Sequence, residues 1–407
     1  MNKINLIKQY MTDIEDALLI IRRHLHAFPE LSKQEIHSSK YVARQLEAIP
    51  GLEVTRGLAH GTGVMATLKG TRPLQDGERA KCVLLRADID ALPVTEDNNL
   101  EFKSQNPGVM HACGHDSHAT WVIGAAMILS KMRDEFAGTV KFVFQPGEEV
   151  GFGAREMVYE DHILENPTVD YAFAAHNWPL VDRGKVGINR RYAYGCPGGF
   201  SVNIIGRGGH GSWPEYTVNP IIIASHIIAE IEDYVEKIRD ELSPKVISTC
   251  MVNAGTAGNI IPDEATISGT IRAVEKTQMD ELIAHTESIV KKWCDKYGAT
   301  YEFTGHCHDT GVLNAPELIE LVRASAADIV GDNNAYIIER DNLGGENFSV
   351  INALVPSVYF FVGNADPNGK WMSLHSSRYM LDEEVLSRAA GVFTNIVLRI
   401  LGGDKWN

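Results

Sequence analysis

The stretch CVLLRADIDALP (Cys82–Pro93) indicates a short buried strand that ends in a polar cluster, and the chain repeats this pattern. HATWVIGAAMILSKMRDEF (His118–Phe136) has the length and composition of a helix. TVKFVFQPGEE (Thr139–Glu149) and VDYAFAAHNWP (Val169–Pro179) are two further strands with polar ends. Strands that alternate with helices predict an α/β domain in which helices flank the sheet. Functional side chains of such sheets gather past the carboxyl ends of strands, where the polar clusters lie here.

The middle of the chain has a different pattern. After a glycine-rich strand and a helix come two strands, KVISTCMVNAG (Lys245–Gly255) and EATISGTIRAV (Glu264–Val274), then another helix and another strand. This order predicts a smaller α+β domain at 196–306, inserted between 1–195 and 307–407, which together form the larger domain. Two domains suit 407 residues, because single cores stop growing near ~250–300 residues, and insertion at a surface loop is well tolerated.

Composition excludes several classes of partner. With 38 Lys and Arg against 53 Asp and Glu, the formal charge is −15, which argues against nucleic acid and anionic membranes. No apolar stretch approaches the ~20 residues that cross a bilayer. The N-terminus indicates an amphipathic helix rather than a signal peptide, and six scattered cysteines do not suggest a disulfide framework. We therefore expect a cytoplasmic protein.

The segment MHACGHD (Met110–Asp116) is the strongest candidate for metal binding. It lies in the turn before a predicted helix, so Cys113 and His115 can aim a thiolate and an imidazole at one point. Sulfur and imidazole suit Zn, Mn, Co or Ni at a mixed site. His118, and with less force His111, are more simply interpreted as capping or packed polar residues.

The adjacent carboxylates Glu148 and Glu149 follow the second strand. A surface salt-bridging pair is one interpretation. Beside two metals, one carboxylate would ligate and the other would take a proton from water. We favour Glu149 as the ligand and Glu148 as the base, although the sequence alone does not order them.

Two further histidines are candidates: His176 at the end of an apolar strand and His375 in a loop after a strand. Each taken alone is more often structural than a ligand. Together with Cys113, His115 and Glu149 they make five donors, which is enough for two metals if one donor bridges. Cys113 is the candidate bridge, because a thiolate between two cations would be fully deprotonated.

Four other positions are candidates for supporting roles. Asp90 would hydrogen-bond a ligand histidine and fix its tautomer, whereas Asp88 fits a turn or a helix cap equally well. Arg272 could grip a carboxylate with its planar fork or be a solvated strand residue, and Asn259 could be a turn residue. In GGENFS (Gly344–Ser349), Gly345 would let the backbone approach a ligand.

Taken together, these motifs resemble the aminoacylase and carboxypeptidase metallopeptidases. MHACGHD, QPGEE, AHNWP, GRGGH, GNIIPD, GTIR, GGENF and RRHLHAFPEL occur in the expected order over nearly the whole chain. The nearest branch is similar to hippurate hydrolases, N-acetyl-diaminopimelate deacetylases and plant auxin-conjugate amidohydrolases. The resemblance implies a zinc-peptidase-like catalytic domain, an inserted ferredoxin-like dimerisation or lid domain, and a homodimer or homotetramer.

The resemblance also implies roles for particular residues. Two divalent ions (Mn, Zn, Ni or Co) would be held by Cys113, His115, Glu149, His176 and His375. Glu148 would be the general base. His210 would reach a neighbouring subunit's active site and stabilise the oxyanion, while Asn259 and Arg272 would contact the substrate carboxylate. Two positions depart from the family: Asp88 stands where the wider family has a histidine ligand, and Asn347 where this branch often has aspartate.

The predicted reaction is cleavage of an N-acyl amino acid of N-acetyl or N-benzoyl type into a carboxylic acid and a free amino acid. A dipeptidase or carboxypeptidase acting on unacylated peptides is the main alternative. A cysteine hydrolase could use Cys113 and His115, but their i, i+2 spacing is awkward for a nucleophile and its base. It would also leave four candidates without a role: Glu148, Glu149, His176 and His375. A module without catalysis is disfavoured because Glu148, the candidate base, is present.

Overall fold

A computed structural model describes residues 2–307, 310–365 and 373–403. The helices in chain order are α1 (Lys3–Ala27), α2 (Ile36–Glu47), α3 (His115–Lys131), α4 (Ala154–Tyr159), α5 (Pro220–Lys237), α6 (Lys276–Tyr297), α7 (Pro316–Val330), α8 (Ser349–Asn352) and α9 (Val385–Leu401). The strands are β1 (Leu52–Leu58), β2 (Gly63–Lys69), β3 (Cys82–Asp88), β4 (Thr139–Gln145), β5 (Tyr171–Asp182), β6 (Val186–Asn189), β7 (Tyr192–Tyr194), β8 (Cys196–Ile205), β9 (Gly209–His210), β10 (Val246–Ala254), β11 (Ile260–Ile261), β12 (Glu264–Ala273), β13 (Thr300–Cys307), β14 (Val312–Leu313), β15 (Ala335–Ile338) and β16 (Ser357–Ala365).

The chain forms two compact units. The first comprises Met1–Arg191, Leu313–Ile338 and Val350–Asn407, and the second comprises Tyr192–Val312 and Glu339–Ser349. Glu339–Ser349 packs with the second unit, although in sequence it follows the return to helix–strand alternation. The assignment of catalytic and lid roles to two domains stays a prediction.

An eight-stranded mixed sheet is the centre of the first unit, in the order β1-β2-β4-β3-β5-β16-β6-β15. Its middle strands β4, β3, β5 and β16 are parallel, whereas β1 and β2 add antiparallel pairs at one edge. All seven residues of β3 and of β4 are buried, as expected for parallel strands covered on both faces. The parallel order brings the carboxyl ends of β3, β4 and β5 to the same edge.

The helices of the first unit cover the sheet with apolar stripes. Along α1 the buried residues Ile7, Met11, Ile14, Leu18 and Ile21 recur every three or four positions, which places them on one face. That face packs on α3 and α9, and α3 and α9 contact β3 and β16 in turn. The Asn2 side chain begins α1 by accepting a hydrogen bond from the Ile4 amide at 3.1 Å.

The second unit has a β-α-β-β-α-β chain order. Its four-stranded sheet runs β10-β12-β8-β13, with every neighbouring pair antiparallel. α5 follows the first of these strands and α6 the third, and the two helices pack on each other and on the sheet. This arrangement is the ferredoxin-like topology, so the predicted fold class of a mixed α/β domain plus a smaller α+β domain is confirmed.

Two general expectations concern membranes and cysteines. Among the helices in the described ranges, none combines the length and apolar character that a membrane span requires. All six cysteines are free thiols in the structure. The cytoplasmic location stays a prediction.

Candidate metal centre

The turn before α3 places two donors at the carboxyl edge of the sheet. Gly114 precedes the helix with φ of 91°, in the left-handed region. A Cβ atom there would lie 2.3 Å from Asn177 Oδ1 and 2.5 Å from the Tyr379 hydroxyl. Both the conformation and the lack of space require glycine. The turn directs Cys113 and His115, 8% and 1% exposed, toward the same point.

The other four predicted donors converge on the Cys113 thiol. His176 Nε2 lies 3.4 Å from Cys113 Sγ, and His375 Nε2 lies 3.3 Å from it. One donor atom each from Cys113, His115 and His176 lie within 4.8 Å of one another, and so do those of Cys113, Glu149 and His375. Because Cys113 belongs to both trios, the geometry offers two adjacent ligand sets that share one sulfur.

Hydrogen bonds on the far side of two rings fix which nitrogen faces the thiol. His176 Nδ1 donates to the Asn177 carbonyl oxygen at 2.7 Å, and His115 Nδ1 donates to Asp90 Oδ1 at 3.0 Å. Each ring therefore presents Nε2 to the centre, the arrangement typical of metal-ligating histidines. His115 Nε2 is buried and has no hydrogen-bond partner among the described residues.

Asp90 ties two of the loops together. Its Oδ1 accepts from His115, while Oδ2 accepts from the Glu149 backbone amide at 3.0 Å and from the Ser32 hydroxyl at 2.7 Å. Asp90 is 1% exposed. Burial raises the pKa of its carboxyl, but these hydrogen bonds and the His115 charge outweigh burial and hold the pKa below its ordinary value.

The two glutamates sit on a short 3-10 helix, Glu148–Val150, directly after β4. Glu149 Oε1 lies 3.4 Å from His375 Nε2 and 3.8 Å from His115 Nε2. That oxygen is buried and has no hydrogen-bond partner among the described residues. Carboxylate oxygens of Glu148 and Glu149 lie within 4.8 Å of each other and of His115. Both carboxylates therefore reach the centre.

His375 comes from a loop after β16 and has a left-handed backbone with φ of 63°. That conformation is uncommon for a residue other than glycine. The His375 amide donates to the Ala112 carbonyl oxygen at 2.8 Å, which joins this loop to the segment that contains Cys113. The side chain is 54% exposed and forms the open side of the centre.

The pKa shifts of the donors favour a cation between them. Burial raises the pKa of the Cys113 thiol well above its usual range, and the Glu149 carboxylate raises it further. Burial lowers the pKa of His176, and the neighbouring His118 adds to this. These shifts disfavour proton transfer from the thiol to the imidazole. A cation between the two would favour thiolate and neutral imidazole together.

A second buried network lies beneath the centre and was not predicted from the sequence. His118 Nδ1 lies 2.6 Å from Asp88 Oδ1, and its Nε2 lies 2.7 Å from Asn177 Oδ1. Arg86 Nη1 donates to Asp88 Oδ2 at 2.8 Å. Donor atoms of Asp88, His115 and His118 also fall within 4.8 Å. Because both Asp88 oxygens already have partners, this set is less suited to a metal. The only sequence signal was the three-residue spacing of His115 and His118 on one helix face.

His111 is a packed polar residue in the same region. It is 1% exposed, and neither ring nitrogen has a hydrogen-bond partner among the described residues. Burial lowers its pKa to about 4, so the ring is neutral near pH 7.

The remaining candidates lie in the second unit. His210 in β9 pairs with Ile260 in β11, and the Gly211 amide donates to the Asn259 carbonyl oxygen at 2.9 Å. A Cβ atom on Gly208 would lie 2.5 Å from the Ile261 carbonyl oxygen. The glycines of GRGGHG thus permit the close pairing that brings His210 and Asn259 side by side.

Arg272 and Gly345 have structural contacts of their own. Arg272 Nη1 donates to the carbonyl oxygens of Gly198, at 2.6 Å, and Ile271, at 2.9 Å. Burial lowers the Arg272 pKa below its ordinary value. A Cβ atom on Gly345 would lie 3.1 Å from Pro197, so close packing already favours glycine there.

Comparison with known proteins identifies the family to which this chain is related. Residues 84–399 match Peptidase family M20/M25/M40. The chain belongs to this family. The matched residues include the loops after β3 and β4 and the second unit. The match confirms the expected relationship to aminoacylases and carboxypeptidases.

Similar M20-type proteins span nearly the same length. The chain is 36% identical to thermostable carboxypeptidase 1 of Saccharolobus solfataricus over 96% of this chain and 97% of that protein. It is 38% identical to an N-acyl-L-amino acid amidohydrolase of Geobacillus stearothermophilus over 73% of this chain and 78% of that protein. A Bacillus subtilis crystal structure, described as a dinuclear metal binding peptidase of the M20 family, has 30% identity and a TM-score of 0.80, and covers 96% of this chain and 99% of its own.

Membership of the M20 family defines the reaction class. The chain is a hydrolase that acts on C–N amide bonds. Its substrates are small amides.

Proposed function

We propose that this M20 hydrolase uses two divalent cations to cleave N-acyl amino acids into a carboxylic acid and a free amino acid. The observation that carries the proposal is the pair of donor trios that share Cys113. The relative from Geobacillus stearothermophilus, named for the same reaction, supports the substrate class.

The residues present fit two cations. His115 Nε2 and Glu149 Oε1 are buried polar atoms without hydrogen-bond partners among the described residues, and each belongs to one of the two trios. Such orphaned atoms are costly unless a ligand satisfies them. Sulfur, imidazole and carboxylate together suit Zn, Mn, Co or Ni. The Bacillus subtilis structure, described as dinuclear, supports a count of two.

In this proposal the cations would be held by Cys113, His115, His176, Glu149 and His375, with Cys113 as the donor that both trios share. Bound cations would supply Lewis acidity, which lowers the pKa of water toward neutrality and polarises the substrate carbonyl. Glu148, beside Glu149 but outside the two trios, takes a proton from the attacking water. The water oxygen bonds to the carbonyl carbon, the C–N bond breaks, and Glu148 returns the proton to the leaving nitrogen.

His210 is the proposed donor to the oxyanion. Its Nδ1 accepts a hydrogen bond from the Ser212 amide at 3.1 Å. The neutral ring therefore carries its proton on Nε2, which is the form that can donate to a developing negative charge. We propose that Asn259, next to His210, and the Nε and Nη2 donors of Arg272 contact the substrate carboxylate, and that Gly345 lets the backbone approach the ligand.

The proposal includes a homodimer or homotetramer formed through the second unit. β10 is an edge strand of its sheet. Met251 and Val252 on this strand are 58% and 51% exposed. An edge strand with exposed apolar side chains is a pairing surface, which supports association of two copies there.

Exchange of Glu148 for Gln tests the general base. We expect metal content to remain near two ions per chain while turnover falls by about 10²–10⁴-fold, because the amide cannot accept the proton. Metal analysis and steady-state kinetics measure the two effects. The adjacent Glu149→Gln is the matched control, and it should lose metal. Unchanged turnover in Glu148→Gln would exclude Glu148 as the base.

Mixing two inactive variants tests whether His210 acts across subunits. Homodimers of Glu148→Gln and of His210→Ala should each be slow. Hybrids that combine the two chains would contain one site with both residues intact and should regain activity. The measurement is turnover after subunit exchange, with each variant mixed with itself as the control. No recovery in proven hybrids would show that His210 does not act in the partner's site.

Carboxypeptidase or dipeptidase activity on unacylated peptides is the second candidate, and the likeness to thermostable carboxypeptidase 1 favours it. Comparison of N-acetyl, N-benzoyl and free dipeptide substrates, made at equal concentration with the same amino acid, separates the two. The proposal predicts higher kcat/KM on the acylated substrates. Preference for the free dipeptides would replace it with the peptidase function.

A further inference from the structure

The motif RRHLHAFPEL has no role in the mechanism above, yet it forms most of a segment whose side chains contact the surroundings of the metal centre at three places. We define the 22–35 segment as Arg22–Glu35, from the last turns of α1 to the residue before α2. Its side chains contact three loops, and each loop contains groups of the centre.

The first contact is to the first turn of α3. His26 is 0% exposed, and it donates from Nδ1 to Asp116 Oδ2 at 2.8 Å and from Nε2 to Glu96 Oε1 at 3.2 Å. With a carboxylate at each nitrogen the ring carries both protons and a positive charge. Arg22 Nε lies 3.2 Å from the same Asp116 oxygen. Asp116 directly follows His115, so this buried charge network fixes the first turn of α3.

The second contact is to the loop after β3. The Ser32 hydroxyl donates to Asp90 Oδ2 at 2.7 Å, and Asp90 in turn accepts from His115. The backbone joins the same loop, because the Ala91 amide donates to the Glu30 carbonyl oxygen at 2.8 Å. Ser32 therefore orients a carboxylate that itself orients a donor histidine.

The third contact is to the loop after β4. Glu35 is 0% exposed, and its Oε1 accepts a hydrogen bond from the Gly147 amide at 2.8 Å. Gly147 has φ of 66° and immediately precedes the two glutamates of the centre. Glu35 thus holds the left-handed turn that aims Glu148 and Glu149.

We propose that the 22–35 segment is a positioning element that sets metal affinity, in which His26, Ser32 and Glu35 each hold one of the three donor loops. The inference rests on the proposed function. The hydrogen bonds of His26, Ser32 and Glu35 go to Asp116, Asp90 and Gly147 rather than to donor atoms of the centre, so each residue acts through one of these neighbours. Removal of partners of this kind typically weakens metal binding by about 10–100-fold.

The test is metal affinity of the full chain, measured by titration of metal-depleted protein with Mn²⁺ or Zn²⁺ against a competing chelator. Three variants each remove one contact: Ser32→Ala, Glu35→Met and His26→Leu. We expect each to weaken binding of the metals by about 10–100-fold, with much of kcat regained at saturating metal. A merely structural role would lower the melting temperature of the metal-free protein and leave affinity unchanged.

Each variant has a matched control. Ser130→Ala removes a serine hydrogen bond to the Pro50 carbonyl oxygen at the far end of α3. Glu35→Gln keeps an oxygen that can accept from Gly147, and His24→Leu changes an exposed histidine of α1. The controls should bind metal within about twofold of the unmodified chain, since no contact to the three loops is lost.

Two outcomes would overturn the inference. Folded Ser32→Ala and Glu35→Met with metal affinities equal to their controls would remove it and leave the proposed function intact. An unmodified chain that binds no divalent metal would remove both. Metal binding without cleavage of any N-acyl amino acid would contradict the proposed substrate alone.

Discussion

The rest of the centre depends on one constraint, the burial of a thiol among imidazole nitrogens and carboxylate oxygens. Cys113 Sγ has His375 Nε2 at 3.3 Å and His176 Nε2 at 3.4 Å, in surroundings that raise the pKa of the thiol. A thiol has one hydrogen to donate and cannot satisfy both nitrogens, and the buried His115 Nε2 and Glu149 Oε1 have no hydrogen-bond partner among the described residues. A positive charge among these donors would satisfy all of them. The donor cluster is therefore understandable as a cation site and hard to explain as ordinary core packing.

The fold supplies this arrangement through the order of its strands. The parallel strands β3, β4 and β5 bring their carboxyl ends to one edge, which gathers donors that are far apart in sequence. Hydrogen bonds then fix each donor: Asp90 orients His115, and the Asn177 carbonyl oxygen orients His176. The 22–35 segment supports these loops from outside the sheet. The positions of the donor side chains are thus set by hydrogen bonds to residues that are not donors themselves.

Some of this was predictable because it is local. Cys113 and His115 share one turn at the start of α3, and Glu148 and Glu149 share another directly after β4, so each motif indicates neighbouring donors. The α+β character of the second unit was predictable for the same reason, since its strand and helix patterns are clear, whereas its ferredoxin-like form was an implication of the family resemblance.

The parts that could not be predicted depend on long-range pairing. His118 meets Asn177 59 residues away, and His26 meets Asp116 90 residues away. Neither contact leaves a periodic signal, so His118 could only be interpreted as a cap or packed polar residue. The packing of Glu339–Ser349 with the second unit is of the same kind. The position of a short loop is set by its tertiary contacts and not by the secondary-structure propensity of its residues.

The bridging role of Cys113 is the central claim, and anomalous diffraction from crystals grown with Mn²⁺ or Zn²⁺ tests it most directly. The account predicts two peaks per chain, each within about 2.3–2.6 Å of Cys113 Sγ, one near His115 and His176 and the other near Glu149 and His375. A single peak, or two peaks of which neither is bonded to Cys113, would contradict it.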